Sequence, residues 1–207
     1  MADTTESVRS HNGDHYLPKL VQCKNRLLGQ CFTVVENNIK YYFEFDIRGY
    51  EAYIKYDRLS LVDKVIEEFR KYFGYINIFY NEDRTYYRAF DDTFTFKLPI
   101  KIIQPSKFFI NKDRLDSISK YLEDKEVYIP VTIIDDEYVA ISGHDRIYAK
   151  MLEDAKMVNV YMSDYIPRNL DDFVYMAKEN NILKVSQMEI LSNEEYNSYM
   201  EQMNDLY

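Results

Sequence analysis

The chain has 207 residues, of which 46% are hydrophobic and 29% are charged, an ordinary balance for a globular protein of one or two domains. Its formal net charge is −9. Nucleic-acid binders usually present a basic face, so this charge argues against DNA or RNA as the default partner. The two cysteines, Cys23 and Cys31, are too far apart for a CxxC pair and have no histidine partners at zinc spacing, which argues against metal and redox roles.

The amino-terminal residues 1–14 are polar and lack the apolar core of a signal peptide. No apolar run in the sequence approaches the length needed to span a membrane, so no membrane partner is expected. The sparse use of cysteine fits a reducing compartment. We therefore expect a flexible tail over 1–14 and a cytoplasmic location.

Residues 15–92 are predicted to form a small α+β domain of unknown role. Two runs of alternating polarity, over 40–46 and Glu51–Tyr56, are typical of strands. A helix should begin at Ser60, because Asp63 three residues later completes a capping-box pattern ahead of an apolar stripe. Two further strands are expected, over 75–80 and 85–90.

A second unit is predicted over 93–165. A strand over 95–103 contains Pro99, which indicates an edge or a bulge, and residues 104–107 should form a turn. Asn111 is placed to cap a helix with apolar residues at helical spacing. The remaining elements are a β-hairpin over 131–134 and 138–141, a helix running on from 147, and a last strand over 158–162.

The carboxyl-terminal segment, 166–207, is predicted to form two helices. The second helix has Ser192 and Glu195 in capping-box positions. Its stripe of tyrosine and methionine is typical of a core-facing helix and also suits the surface of a homodimer. The stripe consists of Tyr196, Tyr199, Met200 and Met203.

The most informative stretch is Ser142-Gly143-His144-Asp145-Arg146, between the predicted hairpin and the following helix. A glycine at a strand-to-helix turn permits a sharp bend and the close approach of a ligand. The first N–H groups of the helix favour an anion. His144 adds a titratable group, which could be a phosphate ligand, a general base or simply a surface residue. Arg146 adds a planar guanidinium that stays positively charged. This combination suits a phosphate group.

The same stretch also has structural explanations. Ser142 and Asp145 fit a plain capping box, which leaves other N–H groups of the helix free for a ligand. Arg146 could form an ion pair with Asp135 or Asp136 in the hairpin turn instead of binding two phosphate oxygens. Both interpretations remain open from the sequence.

Two blocks of the second unit resemble the N-terminal domain of the ParB/sulfiredoxin superfamily. Residues 104–109 (Q-P-S-K-F-F) are similar to its Q-P-R-K-x-F segment, and 130–133 (P-V-T-I) with 143–149 (G-H-D-R-I-Y-A) are similar to its P-V-x-V and G-x-x-R-x-x-A segments. In that superfamily the two blocks face each other across a nucleotide site. The resemblance covers about 95–163 and implies an α+β fold with a mixed sheet. The nucleotide or phosphate site that it implies consists of Gln104, Pro105, Ser106, Lys107, Ser142, Gly143, His144 and Arg146.

The sequence also departs from each branch of that superfamily. His144 occupies the position of the nucleophilic cysteine of sulfiredoxins, so sulfinate reduction is not expected. A single arginine, Arg146, replaces the arginine run of the partition proteins, which argues against chromosome partition. The turn is also similar to the D-G-H-H-R turn of free-serine kinases, but Ser142 and Asp145 replace the leading aspartate and the second histidine.

The resemblance implies that the chain binds ATP, ADP or CTP with Mg²⁺, the phosphates lying between the 143–146 turn and Ser106-Lys107. If the site is catalytic, His144 and Asp145 are the candidate catalytic residues, and the reaction is phosphoryl transfer to an unknown small-molecule or protein acceptor, or nucleotide hydrolysis. No dedicated metal-ligand set is predicted, although Asp113 and Asp116, in the helix after Asn111, have carboxylates that could act as a base or bind Mg²⁺.

Two other functions remain open. The chain could be a regulatory or protein-binding module that keeps the fold without turnover. It could also be a ParB-like nucleic-acid-binding protein or nuclease, for which the tyrosine-rich strands between 41 and 56 would stack bases. The sequence favours the simpler explanation, an amphipathic sheet that packs against the predicted Ser60 helix.

Overall fold

The computed structural model describes residues 19–22, 30–122 and 125–204, so the predicted tail 1–14 and Cys23 lie outside the described residues. Within those ranges the chain forms a six-stranded sheet, a five-stranded sheet, a two-stranded pair and five α-helices. This arrangement confirms the predicted α+β class with mixed sheets. In the part of the chain that the structure describes, no helix has the length and apolar character needed to cross a membrane.

The first sheet has its six strands in sequential order, all antiparallel except the parallel pair that flanks the helix. The helix is amphipathic, and Phe69 on its apolar face stacks on Phe45 of the sheet with ring centroids 4.0 Å apart. The elements are β1 Lys19–Gln22, β2 Cys31–Glu36, β3 Ile39–Arg48, β4 Glu51–Tyr56, α1 Val62–Arg70, β5 Ile78–Asn81 and β6 Tyr86–Ala89.

The predicted start of α1 at Ser60 is wrong by one short turn. A 3-10 turn over Leu59–Leu61 precedes the helix, and α1 has no side-chain cap. Ser60 Oγ instead accepts a hydrogen bond from Arg58 Nε at 3.1 Å, and Asp63 pairs with Arg88 at 3.1 Å. The capping box is absent because both of its side chains have arginine partners.

The second sheet has the strand order β7-β12-β10-β11-β8, with two parallel and two antiparallel pairings. The predicted hairpin is confirmed: β10 and β11 pair through a two-residue turn in which Asp135 and Asp136 both have positive φ. The elements are β7 Thr95–Pro99, β8 Ile103–Pro105, β9 Phe109–Asn111, α2 Lys112–Leu122, β10 Tyr128–Ile134, β11 Glu137–Ala140, α3 His144–Leu152, β12 Met157–Met162, α4 Leu170–Glu179, β13 Glu189–Leu191 and α5 Asn193–Asn204.

Two expectations for this part of the chain are wrong. Gln104 and Pro105 lie in β8, which pairs in parallel with β11, rather than in a turn. β12 is not the last strand, because β13 pairs in parallel with β9 and brings the carboxyl-terminal segment next to residues 109–111.

The predicted segments share one hydrophobic core rather than two. One cluster of buried side chains runs from Phe32 in the first sheet to Val160 in the second. At the seam, the rings of Tyr75 and Tyr128 stack with centroids 4.4 Å apart, and the Gly74 N–H donates to the Tyr161 hydroxyl at 3.0 Å. The described residues of the predicted units 15–92 and 93–165 are therefore parts of one packed body.

Candidate functional site

The turn from β11 into α3 depends on the glycine at its centre. Gly143 has φ of +80°, and a Cβ on it would lie 2.8 Å from Arg146 Nη2 and 3.0 Å from Ile129 Cδ1. We expected the missing side chain to admit a ligand. The space is instead occupied by the chain's own guanidinium, so this glycine positions Arg146.

Ser106 and His144 bring the two motif segments into direct contact. The Ser106 N–H donates to His144 Nε2 at 3.0 Å, and Ser106 Oγ donates to the Ala140 carbonyl at 2.7 Å. His144 is only 1% exposed, which rules out the surface-histidine interpretation. The 104–107 and 142–146 segments are thus packed together at this point.

The surroundings of His144 keep its imidazole neutral. Burial lowers the pKa of His144 well below 6.5, and the charges of Lys107, Arg146 and Arg114 lower it further, against a smaller opposing effect of the Ala140 carbonyl. Because Nε2 accepts from Ser106, the neutral ring carries its proton on Nδ1. Nδ1 is buried and has no hydrogen-bond partner among the described residues. His144 can therefore donate a hydrogen bond but has no free lone pair to act as a base.

Asp145 and Ser142 do not form the predicted capping box. The N-cap position of α3 is Gly143, and α3 has no side-chain cap. Asp145 pairs with Arg114 of α2 at 2.9 Å. Ser142 Oγ is buried without a partner in the described part of the chain. The first N–H groups of α3 therefore have no side-chain acceptor, and the positive end of the helix dipole is not offset by a capping side chain.

Gln104 and Pro105 have structural contacts. Gln104 is 3% exposed, and its Nε2 donates to the carbonyls of Pro105 at 2.9 Å and Ile182 at 2.8 Å. Pro105 is paired with Ala140 in the sheet. These two residues hold the segment in place.

Arg146 is not brought together with Ser106 and Lys107. Its Nη1 donates to the Tyr128 carbonyl at 3.1 Å, and its guanidinium lies over the ring of Phe73, 5.2 Å from the centroid. It lines a cavity on the side of the first sheet, whereas Ser106 and Lys107 line a different cleft. The alternative ion pair with Asp135 or Asp136 is not formed within the described residues.

Ser106 and Lys107 lie at the edge of an apolar cleft of about 240 Å³ between β9, α4 and α5. The Phe109 and Tyr199 rings meet edge to face in it, with centroids 4.6 Å apart. Lys107 is exposed and forms no carboxylate ion pair among the residues described. The cleft walls are mostly aromatic and aliphatic: Phe108, Phe109, Ile141, Pro167, Leu170, Phe173, Tyr196, Tyr199 and Met200.

Sequence reasoning missed this aromatic wall as part of a site. The tyrosine and methionine stripe of α5 was expected to face the core or a second subunit. Tyr199 does pack against the small buried cluster of Phe108 and Ala177, and Tyr196, Tyr199 and Met200 also line the cleft. The signal that could have located it is the pair Phe108-Phe109 directly after Lys107. The structure does not describe the side chain of Met203, the fourth member of the stripe.

The cleft does not offer the oxygen ligands that a protein-bound metal ion prefers. The described residues that line it include no carboxylate. In the described ranges no group of three or more His, Cys, Asp or Glu residues is placed to hold a metal. Asp113 and Asp116 are exposed on α2.

Comparisons with known proteins give little. No protein-family model matches the chain, and no curated protein matches it. Among solved structures, the chain is similar to protein Atu1540 from Agrobacterium tumefaciens, with 13% identity and a TM-score of 0.35. The similarity covers 46% of this chain and 61% of that protein, less than two thirds of its length. It assigns neither a family nor an activity.

Proposed function

We propose that this chain is a nucleotide-binding protein of the ParB/sulfiredoxin-like type, with the nucleotide in the cleft between β9, α4 and α5. The observation that supports it is the run 106–109, which places Ser106 and Lys107 directly beside the aromatic wall of the cleft. A nucleobase is flat and stacks on aromatic rings, whereas phosphates need cations and N–H donors. The cleft offers the two surfaces side by side.

The charges around the cleft favour phosphates at its Lys107 end. Lys107 has no carboxylate partner among the described residues, so its charge is available to a ligand. Ile141 lines the cleft just before the turn into α3. The start of α3, without a side-chain cap, adds a favourable field for an anion. On these grounds we place the phosphates at the Lys107 end of the cleft, next to Ile141.

The contacts of the candidate catalytic residues favour binding without turnover. His144 Nε2 already accepts the Ser106 N–H, and Asp145 is held by Arg114. His144 therefore has no free lone pair, and the Asp145 side chain is engaged by Arg114, whereas a general base must reach the proton of an acceptor. The chain is therefore proposed to be a regulatory module that responds to a nucleotide, rather than a phosphotransferase or hydrolase.

Isothermal titration with ATP, ADP and CTP in magnesium buffer tests the binding. At least one should bind, and Lys107→Gln should weaken it about tenfold, the usual effect of losing one charge-assisted hydrogen bond. Lys101→Gln is the matched control. Lys101 is an exposed lysine in the 3-10 turn Ile100–Ile102, which precedes β8, and it does not line the cleft. Absence of binding by all three nucleotides would refute the proposal.

Prolonged incubation with the bound nucleotide, followed by chromatographic separation, tests the absence of turnover. We expect intact nucleotide. Steady product formation that disappears in His144→Gln would instead show phosphoryl transfer or hydrolysis. Salt-sensitive retention of DNA or RNA, with no nucleotide binding, would favour the nucleic-acid alternative.

A further inference from the structure

Arg146 is a buried cation that the cleft does not use. It is 8% exposed, and among the described residues it makes one hydrogen bond, from Nη1 to the Tyr128 carbonyl. A guanidinium has five N–H donors, so most of its hydrogen-bonding capacity is unused. Within the described ranges it forms no ion pair, because the neighbouring Asp145 is bound to Arg114.

The charged groups near Arg146 offset one another, because the Asp145 carboxylate, which favours its charge, is paired with Arg114, which opposes it. The other groups that act on Arg146 include the phenols of Tyr75 and Tyr161. Burial raises the pKa of Tyr75 to about 12 and also raises that of Tyr161, so both phenols are uncharged near neutral pH. A buried charge without a counter-charge is costly for a fold to keep. This cost favours an anion at this position.

The cavity in front of Arg146, of about 310 Å³, lies at the seam between the two sheets. Tyr75 lines it, and its hydroxyl has no hydrogen-bond partner among the residues described. Lys125 adds a second cation at the cavity, with its ammonium 3.5 Å from the Tyr121 ring centroid. The lining carboxylate, Glu126, accepts from the Tyr128 hydroxyl at 2.8 Å. The described lining therefore holds two cations against one carboxylate, together with the unpaired donors of Arg146 and Tyr75.

We propose that this cavity is a second ligand site, for a small organic anion whose carboxylate or phosphate group binds Arg146. The planar fork of arginine matches two oxygens of either group. The Tyr75 hydroxyl supplies a further donor, and the rings of Tyr75 and Tyr121 form walls for a flat apolar remainder. Because Lys107 does not line this cavity, the site is separate from the proposed nucleotide cleft.

Titration calorimetry with benzoate and phenyl phosphate tests the site, with neutral benzamide as the ring-matched control. At least one anion should bind and benzamide should not, and the stronger of the two anions identifies the group that the site takes. Tyr75→Phe keeps the ring and should weaken binding about tenfold, as should Arg146→Lys, which loses the fork. Tyr86→Phe, an exposed tyrosine of β6, should bind as the parent chain does.

Lys107→Gln separates the two proposals, since it should weaken nucleotide binding and leave anion binding unchanged. If Arg146→Lys does not fold, Tyr75→Phe decides the matter alone. The proposal is overturned if neither anion binds at about 10 mM, which corresponds to less than about 3 kcal/mol of affinity. It is also overturned if benzamide binds as well as the anions, or if Tyr75→Phe binds them with parent affinity.

Discussion

His144 is the residue that connects the two motif segments of this chain. Its Nε2 accepts from the Ser106 backbone, and its own position is set by the first turn of α3. The hydrogen bond requires the neutral ring, because a protonated imidazole has no lone pair to accept with. The contact between the segments should therefore depend on pH.

We predict that the parent chain loses stability as the pH falls below about 6.5, and that His144→Gln removes part of this loss. The folded pKa of His144 lies below its unfolded value, so in this window the unfolded chain binds a proton that the folded chain does not. The free energy of unfolding then falls with decreasing pH by up to about 1.4 kcal/mol per pH unit. Glutamine keeps an acceptor near the Nε2 position and does not titrate.

Urea unfolding of both proteins between about pH 5 and 7 measures the difference in slope. His11 and His15 are present in both chains, so their contribution cancels. Equal slopes for the parent and His144→Gln would contradict a buried neutral imidazole.

Gly143 and Gly49 make a matched pair for testing how tightly Arg146 is packed. Both have positive φ, but a Cβ on Gly49 would meet nothing within 4 Å, whereas one on Gly143 would lie 2.8 Å from Arg146 Nη2. Alanine at either position should cost about 1 kcal/mol of backbone strain. Gly143→Ala should cost about 1–3 kcal/mol more, because it overpacks a buried site. Urea unfolding measures both, and equal losses would show that Arg146 moves aside freely.

At the scale of elements, the sequence predicted best where a local signal and a periodic pattern agree. Asn111 was expected to cap α2, and its Oδ1 does accept the Arg114 N–H at 3.0 Å. The Ser192 and Glu195 capping box of α5 is also confirmed, with bonds of 2.9 and 3.3 Å. Caps of this kind are formed within a few residues, so a local pattern predicts them where no distant side chain competes, as Arg88 does for Asp63 at the start of α1.

The elements that sequence reasoning missed depend on distant partners. β13 has three residues and exists through its pairing with β9, and no local periodicity marks so short a strand. The capping-box pattern of Ser142 and Asp145 fails because Arg114, on another helix, binds the aspartate. The aromatic cleft likewise arises only when α5 is placed against β9. Tertiary contacts override local patterns at each of these places.

At the scale of the whole molecule, the two sheets behave as one body because aromatic side chains fill the seam between them. The rings of Tyr50 and Tyr128 meet at 5.4 Å and those of Tyr75 and Tyr128 at 4.4 Å. The proposed anion cavity is part of this seam, so its ligand would contact residues of both sheets. The resemblance to the ParB/sulfiredoxin superfamily left the role of the first sheet open. If the anion site is correct, the first sheet completes that cavity.

A shared core predicts that the chain unfolds in one step. Urea unfolding followed by far-UV circular dichroism and by tyrosine fluorescence should give coincident transitions. Tyr161→Phe removes the acceptor of the Gly74 N–H at the seam and should lower the free energy of unfolding by about 1 kcal/mol without separating the two signals. Tyr86→Phe, at an exposed position, should change it by less than about 0.5 kcal/mol. The contradicting result would be two separate transitions, neither of which is shifted by Tyr161→Phe. It would mean that each sheet is stable independently and that contacts at the seam do not couple their unfolding.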